Sequence, residues 1–202
     1  MNKQYTESFN LALSIEADAN RFWDALRSFL TEPSSGIKRL KEAAELGSAL
    51  SMYHVGEAYL EGRGIEKDIE QGFKWLQLSA DNGFLEGAYQ IARTYWAMGD
   101  MGKTIKILTD LSDRGHALSM NNLAYLYFFE PNFENLKLSD KYFRMAVKNG
   151  NLISSRLYSV LLMQGKFGFY NRLRGFIIWI SGIVPTFLTM IRYPRSDRLR
   201  IK

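Results

Sequence analysis

Apolar residues recur along most of this chain at three- and four-residue spacings, the period of amphipathic helices. Short polar phrases ending in glycine punctuate them: KEAAELG closes at Gly47, QLSADNG at Gly83, DLSDRG at Gly115 and MAVKNG at Gly150. The intervals are 36, 32 and 35 residues, the period of stacked helix hairpins. Each glycine suits the left-handed position that ends a helix.

Counting from these glycines aligns the remainder. Eight residues on stand Val55, Ile91, Leu123 and Tyr158. The next position holds Gly56, Ala92, Ala124 and Ser159, all small enough for a close helix crossing. Four residues beyond the first position, on the same helical face, are Tyr59, Tyr95, Tyr127 and Leu162. Fifteen residues before the closing glycines stand Asp68, Asp100 and Asn135, expected as N-caps, and Asp68 with Gln71 has capping-box spacing. Each unit therefore reads as helix A, a loop, and a capped helix B. One hairpin alone cannot bury its apolar face, whereas stacked neighbours can.

The phrase LEGRGIEKDIEQGFKWLQLSADNG resembles the Sel-one-like repeat, a relative of the tetratricopeptide repeat, at Gly56, Tyr59, Gly62, Gly64, Asp68, Trp75, Ala80 and Gly83. The second copy shortens the loop to AMGD and has Ile107 at the tryptophan position; the third has EPNFEN and Tyr142. A degenerate fourth begins near Asn151, and SSGIKRLKEAAELG is similar to helix B of an initial partial unit. The resemblance implies an all-α fold, a right-handed α-solenoid, with a scaffold role in binding a protein partner and no catalytic activity or cofactor. It also points to a bacterial cell-envelope polysaccharide assembly setting. Trp75 and Tyr59 are expected to be buried between helices.

Charge divides the chain. From Lys166 onward there are eight basic residues and one acidic, a balance of 8 − 1 = +7, which leaves −2 for the body of a +5 chain. The basic character belongs to the tail, so no nucleic-acid partner is read from it. There is no cysteine, hence no disulfide or thiolate chemistry. His54 and His116 lack partners at ligand spacing, so no metal or catalytic site is assigned and a surface or groove-lining place is expected for both. EGRGIEKD lacks the spacing of a phosphate loop. Among the aromatic residues of the A helices, Tyr53, Tyr89 and Tyr125, with His54, are candidates for a partner surface.

The start of the chain lacks the apolar core of a secretory signal, and the body is expected in the cytoplasm. Residues 1–33 read as capping helices, with Phe22, Trp23, Leu26, Phe29 and Leu30 on one face; 34–165 read as the repeat array and 166–202 as a membrane-associating segment. In that segment GFIIWISGIVPTFLTMI, Gly175 to Ile191, runs seventeen residues without a charge. A straight helix of that length rises about 26 Å against a bilayer core of about 30 Å, and Pro185 breaks it near the middle. A crossing would also carry the terminal basic cluster outward, against the positive-inside tendency. The expectation is a re-entrant hydrophobic helical anchor at the cytoplasmic face of the inner membrane. Phe176, Ile177, Trp179, Ile180, Phe187, Leu188 and Ile191 would lie in lipid, with Arg172, Arg174, Arg192 and Arg195 among the headgroups. The partner expected there is a membrane enzyme or membrane-bound complex. The alternative is a soluble interaction module whose apolar segment packs on a partner protein or a second copy.

Overall fold

Glycine closure dictates where the helices stop. The computed structural model describes residues 19–129, 133–168 and 171–180, with Asn10 and Leu13. The helices are α1 (Ala19–Thr31), α2 (Pro33–Glu45), α3 (Ala49–Glu61), α4 (Ile69–Asp81), α5 (Glu86–Ala97), α6 (Met101–Asp113), α7 (Ala117–Phe129), α8 (Phe133–Lys148) and α9 (Leu152–Met163). A further helix, α10, is described over 172–180. The described residues contain no strand. Two compact units divide the chain, Met1–Ser119 and Met120–Lys202, and the boundary falls in the first turn of α7.

Gly47, Gly83, Gly115 and Gly150 all have positive φ, between 77° and 97°. At Gly83 the glycine N–H donates to Ala80 and the following Phe84 N–H to Ser79, a Schellman closure that satisfies the last carbonyls of α4. The same pair of bonds recurs after α2, α6, α8 and α9. Asp68 and Asp100 cap α4 and α6, each accepting a 3.0 Å bond from the backbone three residues on. Asn135 is no cap, because α8 starts two residues before it, at Phe133. The amide of Asp68 donates to the Tyr59 carbonyl at 3.0 Å, so that N–H has a backbone partner rather than one from Gln71.

In unit 1 the two arms of each hairpin meet backbone to backbone. A Cβ on Gly56 would lie 2.6 Å from Leu76 Cγ and 3.0 Å from the Gly72 carbonyl, and one on Gly72 would lie 2.7 Å from Leu60. The next hairpin crosses at Ala92 and Thr104, whose Oγ1 lies 3.4 Å from the Ala92 carbonyl. A Cβ on Gly36 would meet the Phe29 backbone at 2.2 Å, so α1 and α2 form a hairpin of the same kind. Residues 19–31 thus supply helix A of the initial unit, which a boundary at position 33 would cut in two. Successive hairpins bury one core between them: Phe22, Leu50, Tyr53, Leu76, Phe84 and Ile91 form one cluster, and Phe29, Ile37, Leu40, Met52 and Val55 another.

In unit 2, Ser139 Oγ on α8 donates to the Ala124 carbonyl of α7 at 2.8 Å. Gly175 repeats the crossing on α10: a Cβ there would lie 2.7 Å from the Ser159 carbonyl and 2.8 Å from the Met163 amide of α9. Gly36, Gly72, Thr104, Ser139 and Gly175 therefore hold one structural position. α9 and α10 make a fifth hairpin, and the sequence-based boundary at Gly165 falls inside it.

The residue four positions after that crossing is the deepest in each of the first four B helices: Leu40, Leu76, Leu108 and Phe143 are all fully buried. Trp75 and Tyr59 correct the expectation of burial. Both are only partly buried against the Phe29–Leu40 cluster, and the Tyr59 hydroxyl accepts from Lys41 Nζ at 2.8 Å. Leu76→Ala is accordingly expected to cost about 2–5 kcal/mol, and Trp75→Ala distinctly less, in urea unfolding followed by far-ultraviolet circular dichroism. A larger loss at Trp75 would contradict this register.

Candidate interaction surface

The residues of the A helices divide between core and surface. In unit 1 Tyr53 belongs to the core: it packs edge-on against Phe84 at 5.2 Å, and its hydroxyl donates to Glu57 Oε1 at 2.8 Å. Its place in a partner surface is therefore withdrawn, because the stacking of α5 on α3 and α4 covers the ring. His54 is partly exposed, 3.5 Å from Glu57 and stacked 6.0 Å from Phe22. Tyr89 is partly buried, 5.1 Å from the ring of His116. In unit 2 Tyr125 is partly buried and stacks on Phe129, which is 72% exposed.

His116 is buried, not groove-lining. Its Nδ1 shares a 2.8 Å bond with Ser119 Oγ, and its Nε2 lies 3.7 Å from the carboxylate of Glu86, itself buried on α5. Among the described residues no cluster of histidines and carboxylates could hold a metal ion.

Unit 2 carries a second polar cluster that sequence reasoning missed. Tyr158 on α9 is fully buried and donates its hydroxyl hydrogen bond to Asp140 on α8. Arg144 pairs with that carboxylate and approaches the Tyr158 oxygen through Nε at 3.3 Å. From the other side the Arg174 guanidinium lies 5.6 Å from the centre of the Tyr158 ring. Burial pushes the Tyr158 phenol up to about 12, and the bond to Asp140 acts in the same direction.

The outward positions of the B helices change along the chain. Counted from the crossing residue at −2, +2, +5 and +9, they are Ser34, Lys38, Lys41 and Glu45 on α2; Glu70, Lys74, Gln77 and Asp81 on α4; and Gly102, Lys106, Thr109 and Asp113 on α6. On α8 the four are Lys137, Lys141, Arg144 and Lys148, all basic and exposed. On α10 the first three are Leu173, Ile177 and Ile180, exposed by 70%, 59% and 39%. Phe176 and Trp179 are exposed as well, at 47% and 43%. Trp179 occupies the position that is fully buried in the four preceding B helices. Of the expected membrane-associating residues, Arg172, Arg174, Phe176, Ile177, Trp179 and Ile180 are thus brought onto one helix. Pro185, Phe187, Leu188, Ile191, Arg192 and Arg195 lie outside the described residues. No helix among the described residues is long and apolar enough to cross a membrane.

Hairpins closed by glycine, crossed at small residues and sharing their cores define a helical-repeat protein of the α-solenoid class. The family model for the Sel1 repeat matches residues 49–84 and 117–151. A sel1-like repeat-containing protein of Acanthamoeba polyphaga mimivirus is 28% identical over 130 residues, covering 63% of this chain and 24% of that protein. An F-box protein of Arabidopsis thaliana is 33% identical over 61 residues, 30% of this chain and 17% of that one. The chain thus spans less than a third of the length of these relatives. A solved Sel1 repeat protein from Oxalobacter formigenes superposes with a TM-score of 0.63 at 15% identity, covering 89% of this chain and 83% of its own. A protective antigen of uropathogenic Escherichia coli strains, which displays the SLR fold, gives 0.57 at 21% identity, covering 73% and 33%. At these identities the structural likeness is one of fold. Sel1 repeats are thus found at 49–84 and 117–151, and repeats of this kind generally bind protein partners.

The raised phenol sets a test of the Tyr158 cluster. The unfolded tyrosine ionises near 10 and the folded one at about 12. The stabilising contribution is therefore complete below pH 10 and is lost as pH rises through the folded value. Burial raises Tyr127 as well, so absorbance titration should show a late phase that Tyr158→Phe reduces by one tyrosine.

Proposed function

We propose that this protein is a non-enzymatic adaptor, held at the cytoplasmic face of the inner membrane by its C-terminal segment, whose repeats bind a membrane enzyme or membrane-bound complex. The observation that carries this reading is the outward face of α10. Four B helices place lysine at the +2 position, and α10 places Ile177 there, between Leu173 and Ile180. A following repeat would cover the end of the stack, near Trp179, but would leave this outward face in water. Lipid surrounds an inserted helix and removes both surfaces from water, at about 25 cal/mol per Å² of apolar area. From Lys166 to Ile180 the charged residues are Lys166, Arg172 and Arg174, all basic, as an anionic surface favours. A cell-envelope polysaccharide assembly system is the setting that the family resemblance favours.

A soluble module that packs α10 on a partner is the second reading. It is supported by the exposed apolar residues of the fifth hairpin, Ile153 on α9 at 59% and Trp179 on α10 at 43%.

Fractionation separates the two. The membrane reading expects the chain in the membrane pellet, released by detergent and not by salt or carbonate. Recovery in the soluble fraction would favour the second reading. Topology is tested with a single cysteine at Lys202→Cys in the otherwise cysteine-free chain. An impermeant thiol reagent should label it only after the membrane is opened; labelling of intact cells would establish a single-pass anchor instead.

A further inference from the structure

The basic row on α8 calls for its own account. At the four outward positions α2 carries two lysines and a glutamate, α4 one lysine and two acids, and α6 one lysine and one acid. Only on α8 are all four basic: Lys137, Lys141, Arg144 and Lys148. Like charges repeated along one helix face repel one another in water, and Arg144 alone of the four is tied to both Asp140 and Tyr158. The acids of α8 offset the row in part, since Glu134 lies 3.9 Å from Lys137 and Asp140 pairs with Arg144. The α8 segment still keeps a balance of 4 − 2 = +2.

This row shares unit 2 with the apolar one. α8 and α10 flank α9, and Tyr158 receives Arg144 from one side and Arg174 from the other. At the start of α10 the helices leave a cleft of about 320 Å³, with Lys137, Asp140 and Lys166 on its walls and Leu136 and Phe167 in its lining. Within unit 2 the basic row of α8 and the exposed Leu173, Ile177 and Ile180 of α10 thus stand on helices that lead away from one cleft.

We infer that the outward face of α8 is the electrostatic half of a bilayer contact: its basic side chains rest on anionic phospholipid headgroups while α10 places its apolar side chains among the lipid tails. The inference rests on the membrane reading and adds to it the lipid class and the side of the fourth and fifth hairpins that faces the bilayer. Charge complementarity selects the occupant. A second copy or a soluble helix seated on the apolar residues of α10 would have no use for the basic row of α8 unless it were acidic there. A bilayer with anionic headgroups presents apolar interior and negative surface side by side. The A helices of the unit, with Tyr125 and Phe129, lie on the other arm of the hairpins and remain open to protein.

The test uses the full chain with phosphatidylcholine vesicles, with and without phosphatidylglycerol. The triple variant Lys137→Gln, Lys141→Gln and Lys148→Gln spares Arg144, which holds Tyr158 and Asp140. With each charge near an anionic surface contributing about 1 kcal/mol, its affinity for phosphatidylglycerol vesicles should fall on the order of 100-fold. Binding to phosphatidylcholine alone and the melting temperature should not change. The pair Lys74→Gln and Lys106→Gln, at the equivalent outward position in unit 1, should have no effect. If the parent binds phosphatidylglycerol vesicles and the triple variant binds them equally, the α8 inference fails while the membrane reading stands. If the parent binds no vesicle, both fail. Loss of binding to DNA or to an acidic protein in the triple variant, with vesicle binding intact, would assign the row to that partner and overturn the proposal.

Discussion

The close crossing of two helices at a small residue is the contact on which the array depends. Gly56 against Gly72, Ala92 against Thr104, Ala124 against Ser139 and Ser159 against Gly175 each bring one helix against the backbone of the next. Such an approach gives up side-chain volume at the crossing and gains it just beyond. Leu76, Leu108 and Phe143, one turn further along, then reach full burial. At two crossings the hydroxyl finds a carbonyl across the gap, Thr104 to Ala92 and Ser139 to Ala124, while the Ser159 hydroxyl donates within α9 to Arg156. Replacing any of these residues with a large side chain would separate the helices and expose that core.

The same geometry connects scaffold and tail. Because Gly175 seats α10 on α9, the apolar face of α10 has a fixed relation to α9. In the proposed setting the bilayer would hold unit 2 through that face. Tyr158 contributes to this seating, since its hydroxyl ties α9 to α8 and its ring lies beneath Arg174. A polar cluster between the fourth and fifth hairpins thus bears on how the outer faces of α8 and α10 are presented.

Much of the fold was legible in the sequence because glycine closure and small-residue crossings leave fixed traces. Gly47, Gly83, Gly115 and Gly150 stand where their backbone angles require glycine, and Asp68 and Asp100 stand where helices need a cap. Other positions were not legible. Trp75 bears the family's signature yet lies at the rim of its cluster, because Leu76 beside it points directly at the crossing. Tyr53 was taken for surface since nothing in one helix reveals that the next hairpin stacks over it. The segment reads as helical in the sequence, but its place as helix B of a further hairpin does not, because its apolar run hides Gly175, which becomes informative only when aligned with Gly72 and Ser139. The basic row on α8 is visible in sequence as well, but only when the outward positions of several repeats are compared.

The crossings also act as a ruler. Gly36 to Gly56, Gly72 to Ala92, Thr104 to Ala124 and Ser139 to Ser159 are each 20 residues apart, whereas Gly56 to Gly72, Ala92 to Thr104, Ala124 to Ser139 and Ser159 to Gly175 are 16, 12, 15 and 16. All the variation in length sits between the crossing residue of helix A and that of helix B, in the loop or in the first turn of helix B, and none between one hairpin and the next. The A-to-B edge of each hairpin is therefore free to gain or lose residues during evolution, while the turn joining successive hairpins is held to a single length. New binding specificities in such a chain should arise by insertion along that one edge, with the stack beneath left undisturbed.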